Sequence, residues 1–282
     1  MFEILDTYGP LTTTELARRS GLDITVVSRT VAACEPDGWL VRLGGRIALG
    51  PRLTLLGHAG PIADVIALAA PIVHALAGVT GVLSHAYALV GGESVLIATA
   101  EGRTRGGPAG LSTHAPLYAT AAGRAIAIQL DPAQLGSLLP AEPYPNPEEL
   151  IAAMVGTSAE TLFNAPSNSS DVRGEFAARA LARTRRGLET QLDVVRSERV
   201  SFDGGALDPG LHCIAVPWSH SVLPLSLACL GSPEDIDGNA ALIQTALRAA
   251  AAPGATARSV VSAAAVSITP PSTATRPEES QI

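Results

Sequence analysis

The stretch HAPLYATAAGRAIA, residues 114–127, carries the most suggestive chemistry in the sequence. Four small residues, Thr120, Ala121, Ala122 and Gly123, stand where an extended run turns into a helix. A helix start presents backbone N–H groups that lack intrahelical partners, and it is the positive end of the helix dipole. Because no bulky side chain blocks these groups, the stretch predicts a binding site for a small acid that needs no dedicated arginine.

Thiol, metal and nucleophilic chemistry are less well supported. Cys34, Cys213 and Cys229 are widely spaced and form no C-x-x-C pair, which favours reduced thiols in the cytoplasm over a zinc site or a disulfide framework. His212 precedes Cys213, but adjacent strand residues point to opposite faces of a sheet. A cysteine nucleophile with a histidine base is therefore not expected, and we expect no catalytic residue, metal or cofactor.

The first sixty residues contain a second pattern, which predicts two short helices. Thr12, Thr13 and Thr14 supply hydroxyl caps for the helix ELARRS, which Gly21 ends. Asp23 caps a second helix, ITVVSRTVAACE, which Pro36 must end early. The short strands WLVRL and RIAL follow, joined by Gly44 and Gly45. Together these elements predict a helix-turn-helix with a two-stranded wing.

A helix-turn-helix predicts contact with DNA, because its second helix can read base edges in the major groove. The residues expected at the DNA are Thr13, Ile24, Thr25, Ser28 and Arg29 on the helices and Arg42 and Arg46 on the wing. Winged helices also serve as protein-docking modules, and hydroxyl side chains on a helix can simply be solvated. Contact with DNA is the favoured interpretation.

Length and charge support two domains, of which the first is locally basic. The 282 residues carry a net charge of −7, which argues against a general polyanion binder. From Gly38 to Gly60, however, the charged residues are three arginines, Arg42, Arg46 and Arg52. The apolar run Pro61–Val79 contains Asp64, Pro71 and His74, so a core or interface helix is favoured over a membrane span.

The sequence of the second domain predicts a mixture of strands and helices. Strands are expected at 84–92, 94–102, 212–218 and 224–230, and helices at 121–130, 132–139, 147–155, 175–186 and 234–252. A glycine-rich loop is expected at 103–113 and a long loop at 156–171. From Pro253 onward the composition predicts disorder.

Four segments in this order resemble the IclR family of bacterial transcriptional regulators: LGPRL after the wing, APLYATAAGRAIA, SFDGGALDPGLHCIAVPW and PLSLACLG. The resemblance implies an α/β (α+β) fold with a winged helix-turn-helix at 1–57, a linker helix at 58–80, a GAF-like effector-binding domain with an antiparallel sheet at 81–252 and a disordered tail at 253–282. It also implies a homodimer or tetramer on double-stranded operator DNA, and a small, commonly acidic effector.

The resemblance further implies a pocket with the small-residue helix start as one wall. The matching positions are His114, Leu117, Thr120, Ala121, Ala122, Gly123, Asp203, Cys213 and Ser226. Three of them have structural alternatives: Cys213 can be a small buried hydrophobe, Asp203 can cap the FDGG turn, and Ser226 can face either pocket or solvent.

This sequence departs from the family pattern in two places, which limits how far the family's properties can be inferred for this chain. The opening MFEILDTYG matches the second half of the family's first helix, so either the true start lies upstream or dimers are held less tightly. Extra residues between Pro140 and Gly187 and before Ser201 border the expected pocket. The expected function is a ligand-responsive regulator without catalytic activity. The alternatives are a metabolite-sensing module that has lost DNA binding and acts through protein partners, and an enzyme.

Overall fold

The computed structural model describes residues 1–57, 61–103, 113–155, 181–220 and 223–268. The chain divides into two compact units, Met1–Ala67 and Leu68–Ile282. Residues 104–112 of the loop predicted at 103–113, the whole loop predicted at 156–171, and residues 269–282 of the predicted tail lie outside the described residues.

The first unit is the predicted winged helix-turn-helix. Its elements are α1 (Phe2–Tyr8), α2 (Thr13–Ser20), α3 (Ile24–Cys34), β1 (Leu40–Leu43), β2 (Arg46–Leu49) and α4 (Pro51–Gly57). The two strands form an antiparallel pair. One apolar core joins helices and wing: Leu5, Leu11, Leu16, Ala17, Val27, Val31, Leu40 and Ile47.

Local signals in the sequence explain where these helices begin and end. Thr12 and Glu15 form a reciprocal capping box at the start of α2, and Gly21 ends that helix in the left-handed conformation with φ 67°. The carboxylate of Asp23 accepts a hydrogen bond from the N–H of Thr25 and caps α3. Helix α3 ends at Cys34, before Pro36, as predicted.

Helix α5 (Pro61–Thr80) follows, and it buries one stripe of its surface. Val65, Ala69, Ile72 and Leu76 recur at helical spacing and are at most 1% exposed. By length and composition alone, its segment Ile62–Thr80 is the one stretch among the described residues that could cross a membrane. The buried stripe is what an amphipathic helix of a folded domain shows.

The second unit is built on an antiparallel sheet of six strands in the order β5-β4-β3-β8-β7-β6. The strands are β3 (Leu83–Val90), β4 (Glu93–Ala100), β5 (His114–Pro116), β6 (Ser201–Gly204), β7 (His212–Ser219) and β8 (Pro224–Gly231). The helices are α6 (Ala121–Ala127), α7 (Pro132–Leu138), α8 (Pro147–Val155), α9 (Arg185–Glu198), α10 (Pro233–Gly238), α11 (Ala240–Ala251) and α12 (Ala257–Ile268). The predicted α/β class with an antiparallel sheet is confirmed.

One face of the sheet packs against α6. Because side chains alternate along a strand, Tyr87, Cys213, Ala215 and Ala228 share this face, which we call the inner face. Together with apolar residues of α6, they form one core. Helix α11 also contacts β7 and β8.

The prediction of a helix at 175–186 is wrong for residues 181–184, whereas residues 185–186 are the first two of α9. Residues 181–184 are not helical, and α9 begins at Arg185 because the Thr184 hydroxyl accepts a hydrogen bond from the Gly187 N–H at 3.1 Å. Its buried residues Leu188, Leu192 and Val195 recur at helical spacing. Residues 175–180 lie outside the described residues.

Three further boundaries differ from expectation. Helix α6 ends at Ala127 rather than at Leu130, and the single helix predicted at 234–252 is two helices with a break at Asn239. The disorder predicted from Pro253 onward is wrong for Ala257–Ile268, which form α12. Val260 and Ala264, one helical turn apart, are buried in α12, so the alanine-rich composition hides an amphipathic helix that packs against α11.

Candidate functional site

The inner face of the sheet brings together three residues predicted to bind the effector. Asp203 on β6 is the cross-strand partner of Cys213 on β7. Ser226 on β8 pairs with Tyr87 on one side and with Pro217 on the other, which places it on the same face as Cys213. The inner-face cluster is therefore Asp203, Cys213 and Ser226, together with Ser201, His85 and Tyr87, which are on the same face.

Asp203 caps a turn and also lies on the inner face. Its Oδ1 accepts a hydrogen bond from the N–H of Ala206 at 2.9 Å, so it does cap the FDGG turn. It is also 8% exposed and faces Cys213. Burial raises the pKa of Asp203, and the positive charge of Arg124 opposes that rise.

Cys213 is a neutral, buried thiol. Burial raises its pKa well above the ordinary value, and the neighbouring Asp203 adds to the effect. His212 is on the opposite face of β7, where its Nδ1 lies 3.1 Å from Asp237 Oδ1. The geometry therefore gives no cysteine–histidine pair at this position.

Two buried serine hydroxyls on the inner face lack a hydrogen-bond partner among the described residues. Ser226 is 0% and Ser201 1% exposed, and neither Oγ is satisfied. Ser201 pairs with Ala215, which puts it on the same face as Ser226. Buried polar groups are normally satisfied, so these hydroxyls leave hydrogen-bonding capacity for a ligand or water.

Arg124 is a buried charge that the sequence pattern did not predict as part of the site. It lies within α6, is 1% exposed, and its guanidinium donates to the carbonyls of Phe202 at 2.6 Å and Tyr118 at 3.3 Å. Burial lowers its pKa, whereas the neighbouring Asp203 favours its charged form. The available signal was an arginine in an otherwise apolar helix, AAGRAIA.

The small residues at the start of α6 have a packing role. The Thr120 hydroxyl accepts from the Gly123 N–H at 3.0 Å and so satisfies one of the helix-start donors. A Cβ on Gly123 would stand 2.5 Å from the carbonyl oxygen of Leu117, so only glycine permits this approach. Leu117, Ala121 and Ala122 are all buried in the same core.

His85 and Tyr87 form a hydrogen-bonded pair on the inner face that was also not predicted. His85 Nδ1 lies 2.8 Å from Tyr87 Oη, and the rings meet edge to face. Burial lowers the pKa of His85 to about 4, so the ring is neutral at physiological pH, and burial raises the pKa of Tyr87. The alternation of polar residues in SHAYALV was the only sequence signal.

His114 is not brought into the cluster. It pairs with Val95, whose partner on β3 is Ala88, and this register places its side chain on the face opposite to Tyr87. Its Nδ1 lies 2.8 Å from Glu93 Oε2, and both side chains are about two-fifths exposed. The register therefore separates His114 from the inner-face cluster.

In the first unit, α3 turns Val27 and Val31 inward and exposes the residues predicted to meet DNA. Ile24, Thr25, Ser28 and Arg29 are all exposed, and Thr13 in the first turn of α2 is half-buried. This is the arrangement expected of a recognition helix.

The two wing arginines are held by acids of the same unit. Arg46 Nη1 lies 3.2 Å from Glu15 Oε2 and donates to the carbonyl of Pro10 at 3.1 Å. Arg42 Nε lies 3.0 Å from Glu35 Oε1. Both pairs are substantially exposed, so each is weak and open to competition from an external anion such as phosphate. Sequence spacing gave no sign of either pair.

Comparison with known proteins identifies the fold. The chain is similar to IclR of Thermotoga maritima, with 20% identity, a TM-score of 0.57 and coverage of 92% of this chain and 96% of that chain. It is similar to an IclR transcriptional regulator from Alicyclobacillus acidocaldarius, with 22% identity, a TM-score of 0.61 and coverage of 93% and 95%. An IclR homologue from Microbacterium hydrocarbonoxydans in complex with 4-hydroxybenzoate has 16% identity, a TM-score of 0.60 and coverage of 93% and 96%.

These likenesses show that the chain has the IclR-type regulator fold. No protein-family model and no curated protein matches its sequence.

Proposed function

We propose that this chain is a ligand-responsive, DNA-binding transcriptional regulator of the IclR type, without catalytic activity, that acts in the cytoplasm as a homodimer or tetramer. The observation that carries the proposal is the combination of two features in one chain. An exposed helix of a winged helix-turn-helix carries Thr25, Ser28 and Arg29, and a second unit buries a polar cluster with unsatisfied hydroxyls.

On the DNA side, α3 enters the major groove of a double-stranded operator. Ile24, Thr25, Ser28 and Arg29 meet base edges, while Thr13 and the wing residues Arg42 and Arg46 meet the backbone. Binding releases counterions from the phosphates, so affinity falls as salt rises.

On the effector side, a small acid binds between α6 and the inner face. Leu117 and the helix start Thr120–Gly123 form one wall, and Asp203, Cys213 and Ser226 form the other. Arg124 supplies positive potential, while Ser226 and Ser201 supply unpaired hydroxyls. The relative that binds 4-hydroxybenzoate motivates the inclusion of aromatic acids in a screen.

A second candidate is a metabolite-sensing module that acts through protein partners. The observation that favours it is the pairing of Arg42 with Glu35 and of Arg46 with Glu15, which neutralises the wing. The two candidates differ in whether the protein prefers one DNA sequence over another.

Fluorescence anisotropy separates the two candidates. A labelled duplex from the gene's own upstream region and a scrambled duplex of equal length and composition are titrated at two salt concentrations. The proposal predicts tighter binding to the native duplex and weaker binding of both at higher salt. Equal affinity for both duplexes at either salt concentration would favour the module without DNA recognition.

The acid site is tested by thermal unfolding in the presence of a panel of small carboxylic acids. Each acid is compared with its uncharged amide, for example 4-hydroxybenzoate with 4-hydroxybenzamide. The proposal predicts a rise in Tm with at least one acid and none with its amide. Equal effects of acid and amide would show that the carboxylate is not recognised.

A further inference from the structure

A second pocket lies at the end of α6 opposite to the predicted effector wall. The effector wall is at the helix start, Thr120–Gly123, whereas this pocket begins at Ile128, directly after the last helical residue. Its volume is about 420 Å³, which is within the range of sites that bind small molecules. We call it the β7–β8 pocket, and it is lined by Ile128 and Gln129 after α6, Ser219 and His220 at the end of β7, Leu223 and Pro224 at the start of β8, and Arg199 after α9.

The walls of the β7–β8 pocket are held in place by backbone groups. Ser219 is the cross-strand partner of Pro224. The side-chain amide of Gln129 donates hydrogen bonds to the carbonyls of Leu225 at 2.7 Å and Ala125 at 3.0 Å. Because both amide hydrogens are used in this way, the amide oxygen of Gln129 is the group that can accept a hydrogen bond from a ligand.

Arg199 brings a positive charge to the wall of this pocket. Along α9, Arg185 and Arg196 both pair with Glu189, at 2.9 Å and 3.4 Å. The guanidinium of Arg199, in contrast, has neither a hydrogen bond nor an ion pair within the part of the chain that the structure describes. A guanidinium without a partner at the wall of a pocket favours an anionic ligand, because its planar array of N–H donors fits an acidic group.

The backbone of Arg199 has a conformation that residues other than glycine rarely adopt. Its φ of 57° and ψ of 27° are left-handed, and every other described residue with a positive φ is a glycine. Glycine is the usual residue directly after a helix in this conformation, because it has no Cβ. The corner is fixed on both sides: the Arg199 N–H donates to the carbonyl of Val195 at 2.9 Å, and the next residue, Val200, is buried. An arginine at a position that suits glycine better points to a role for its side chain.

We propose that the β7–β8 pocket binds a small organic anion whose acidic group pairs with the guanidinium of Arg199. The half-buried side chains of Ile128, Leu223 and Pro224 form the apolar surface on which the body of the ligand lies. Carboxylate and phosphate groups both fit a guanidinium, so carboxylic acids and phosphate monoesters share the chemistry that this site recognises. The pocket is separate from the predicted effector site, and the proposal does not depend on DNA binding.

Nuclear magnetic resonance of the full-length chain, with isoleucine and leucine methyl groups labelled with ¹³C, tests binding at this pocket. The methyl signals of Ile128 and Leu223 report the β7–β8 pocket, and those of Leu117 report the predicted effector site, so the two sites are followed separately. The probes are butyrate, monobutyl phosphate and the uncharged butyramide. We expect butyrate, monobutyl phosphate or both to shift the Ile128 and Leu223 signals and butyramide to leave them unchanged. The anion that binds more tightly identifies the acidic group.

Arg199→Gly and Arg199→Asn assign the binding to the guanidinium, because glycine and asparagine both accept the left-handed conformation. Each variant should weaken binding of the anion about tenfold or more, as measured at Ile128 and Leu223. The Tm of each variant should be unchanged or higher, which separates loss of the charge from loss of the fold. The matched control is Arg186→Gln, an exposed arginine in the first turn of the same helix, which should bind the anion as the wild type does.

Three results would overturn the proposal. If neither anion shifts the Ile128 and Leu223 signals, the pocket does not bind small organic anions. Equal shifts with butyrate and butyramide would show that the acidic group is not recognised. If both Arg199 variants bind the anion as tightly as the wild type, the guanidinium is not its partner. In each case the proposed DNA-binding function stands, because the experiment changes no residue of the winged helix-turn-helix.

Discussion

Arg46 of the wing lies 3.2 Å from Glu15 of α2, so an arginine expected to meet DNA is paired with an acid of its own unit. Arg42 and Glu35 repeat the arrangement at 3.0 Å. Each pair must open, at least in part, before its arginine can contact a phosphate. Glu15 and Glu35 therefore compete with DNA phosphates for these two arginines.

This competition predicts tighter DNA binding when an acid is neutralised. Glu35→Gln should raise affinity about two- to fivefold for native and scrambled duplexes alike, because the freed Arg42 meets the backbone rather than a base. Glu15→Gln should act in the same direction while its amide oxygen keeps the cap on the Thr12 N–H. Anisotropy with both duplexes measures the effect, with Glu3→Gln on α1 as the control. Unchanged affinity in both variants would show that the pairs do not compete with DNA.

Arg29 and Arg46 should have separable roles. Arg29→Ala should cost about 1–3 kcal/mol on the native duplex and remove sequence preference, because this residue is on the exposed face of α3. Arg46→Ala should weaken binding to all sequences. It should also reduce the slope of log Kd against log salt concentration by about 1, the value expected for the loss of one phosphate contact. Titrations over a range of salt concentrations measure both effects. Equal loss of specific and non-specific binding in the two variants would contradict these roles.

Ser226→Ala should separate ligand binding from stability. The hydroxyl is buried without a partner among the described residues, so its removal should leave the free energy of unfolding unchanged or raise it by up to about 1 kcal/mol. The Tm rise with the acid should shrink. The matched control is Ser84→Ala, a buried serine on the opposite face whose Oγ donates to the carbonyl of Val82 at 3.3 Å. Ser84→Ala should lower stability and keep the response to the acid. If Ser84→Ala instead loses the response and Ser226→Ala keeps it, the ligand does not bind at Ser226.

His85 makes the stability of the second unit depend on pH. Its folded pKa of about 4 lies below the ordinary value of 6.5, so below pH 6.5 the unfolded chain takes up a proton that the folded chain does not. Stability is therefore full above pH 6.5 and falls by up to about 3 kcal/mol as the pH drops from 6.5 towards 4.

The variant His85→Asn isolates this contribution, because its side-chain amide stands near the position of Nδ1 and can donate or accept a hydrogen bond with Tyr87 Oη. Denaturant unfolding at several pH values should show a smaller loss of stability on acidification in the variant than in the wild type. Parallel curves would mean that His85 is already accessible to protons in the folded protein.

The winged helix was predictable because its signals are local. Thr12, Gly21 and Asp23 mark helix ends by backbone hydrogen bonding, and this chemistry acts within a few residues of each position. The same applies to the end of α3 before Pro36. In contrast, the start of α9 after Thr184 was not predicted. The surrounding residues are rich in arginine and alanine, which are compatible with a helix that begins at any of several positions.

The candidate site was only partly predictable because it depends on cross-strand register. Asp203 and Cys213 meet, as the resemblance implied, but His114 falls on the opposite face because of its pairing with Val95. Gly123 was predicted for ligand access, and nothing in the sequence indicated its packing role, in which a Cβ would stand 2.5 Å from the Leu117 carbonyl oxygen. The strand register that separates His114 from Cys213 arises only when distant segments of the chain come together.

The central claim, that binding of an acid changes affinity for DNA, is tested most directly by one measurement. The Kd for the native duplex is determined by anisotropy with and without a saturating concentration of the acid that raises Tm most, with its amide as the control. A coupling free energy of about 1–3 kcal/mol predicts a change in Kd of roughly 5- to 150-fold with the acid and none with the amide. An unchanged Kd under conditions in which the acid demonstrably binds would contradict the account.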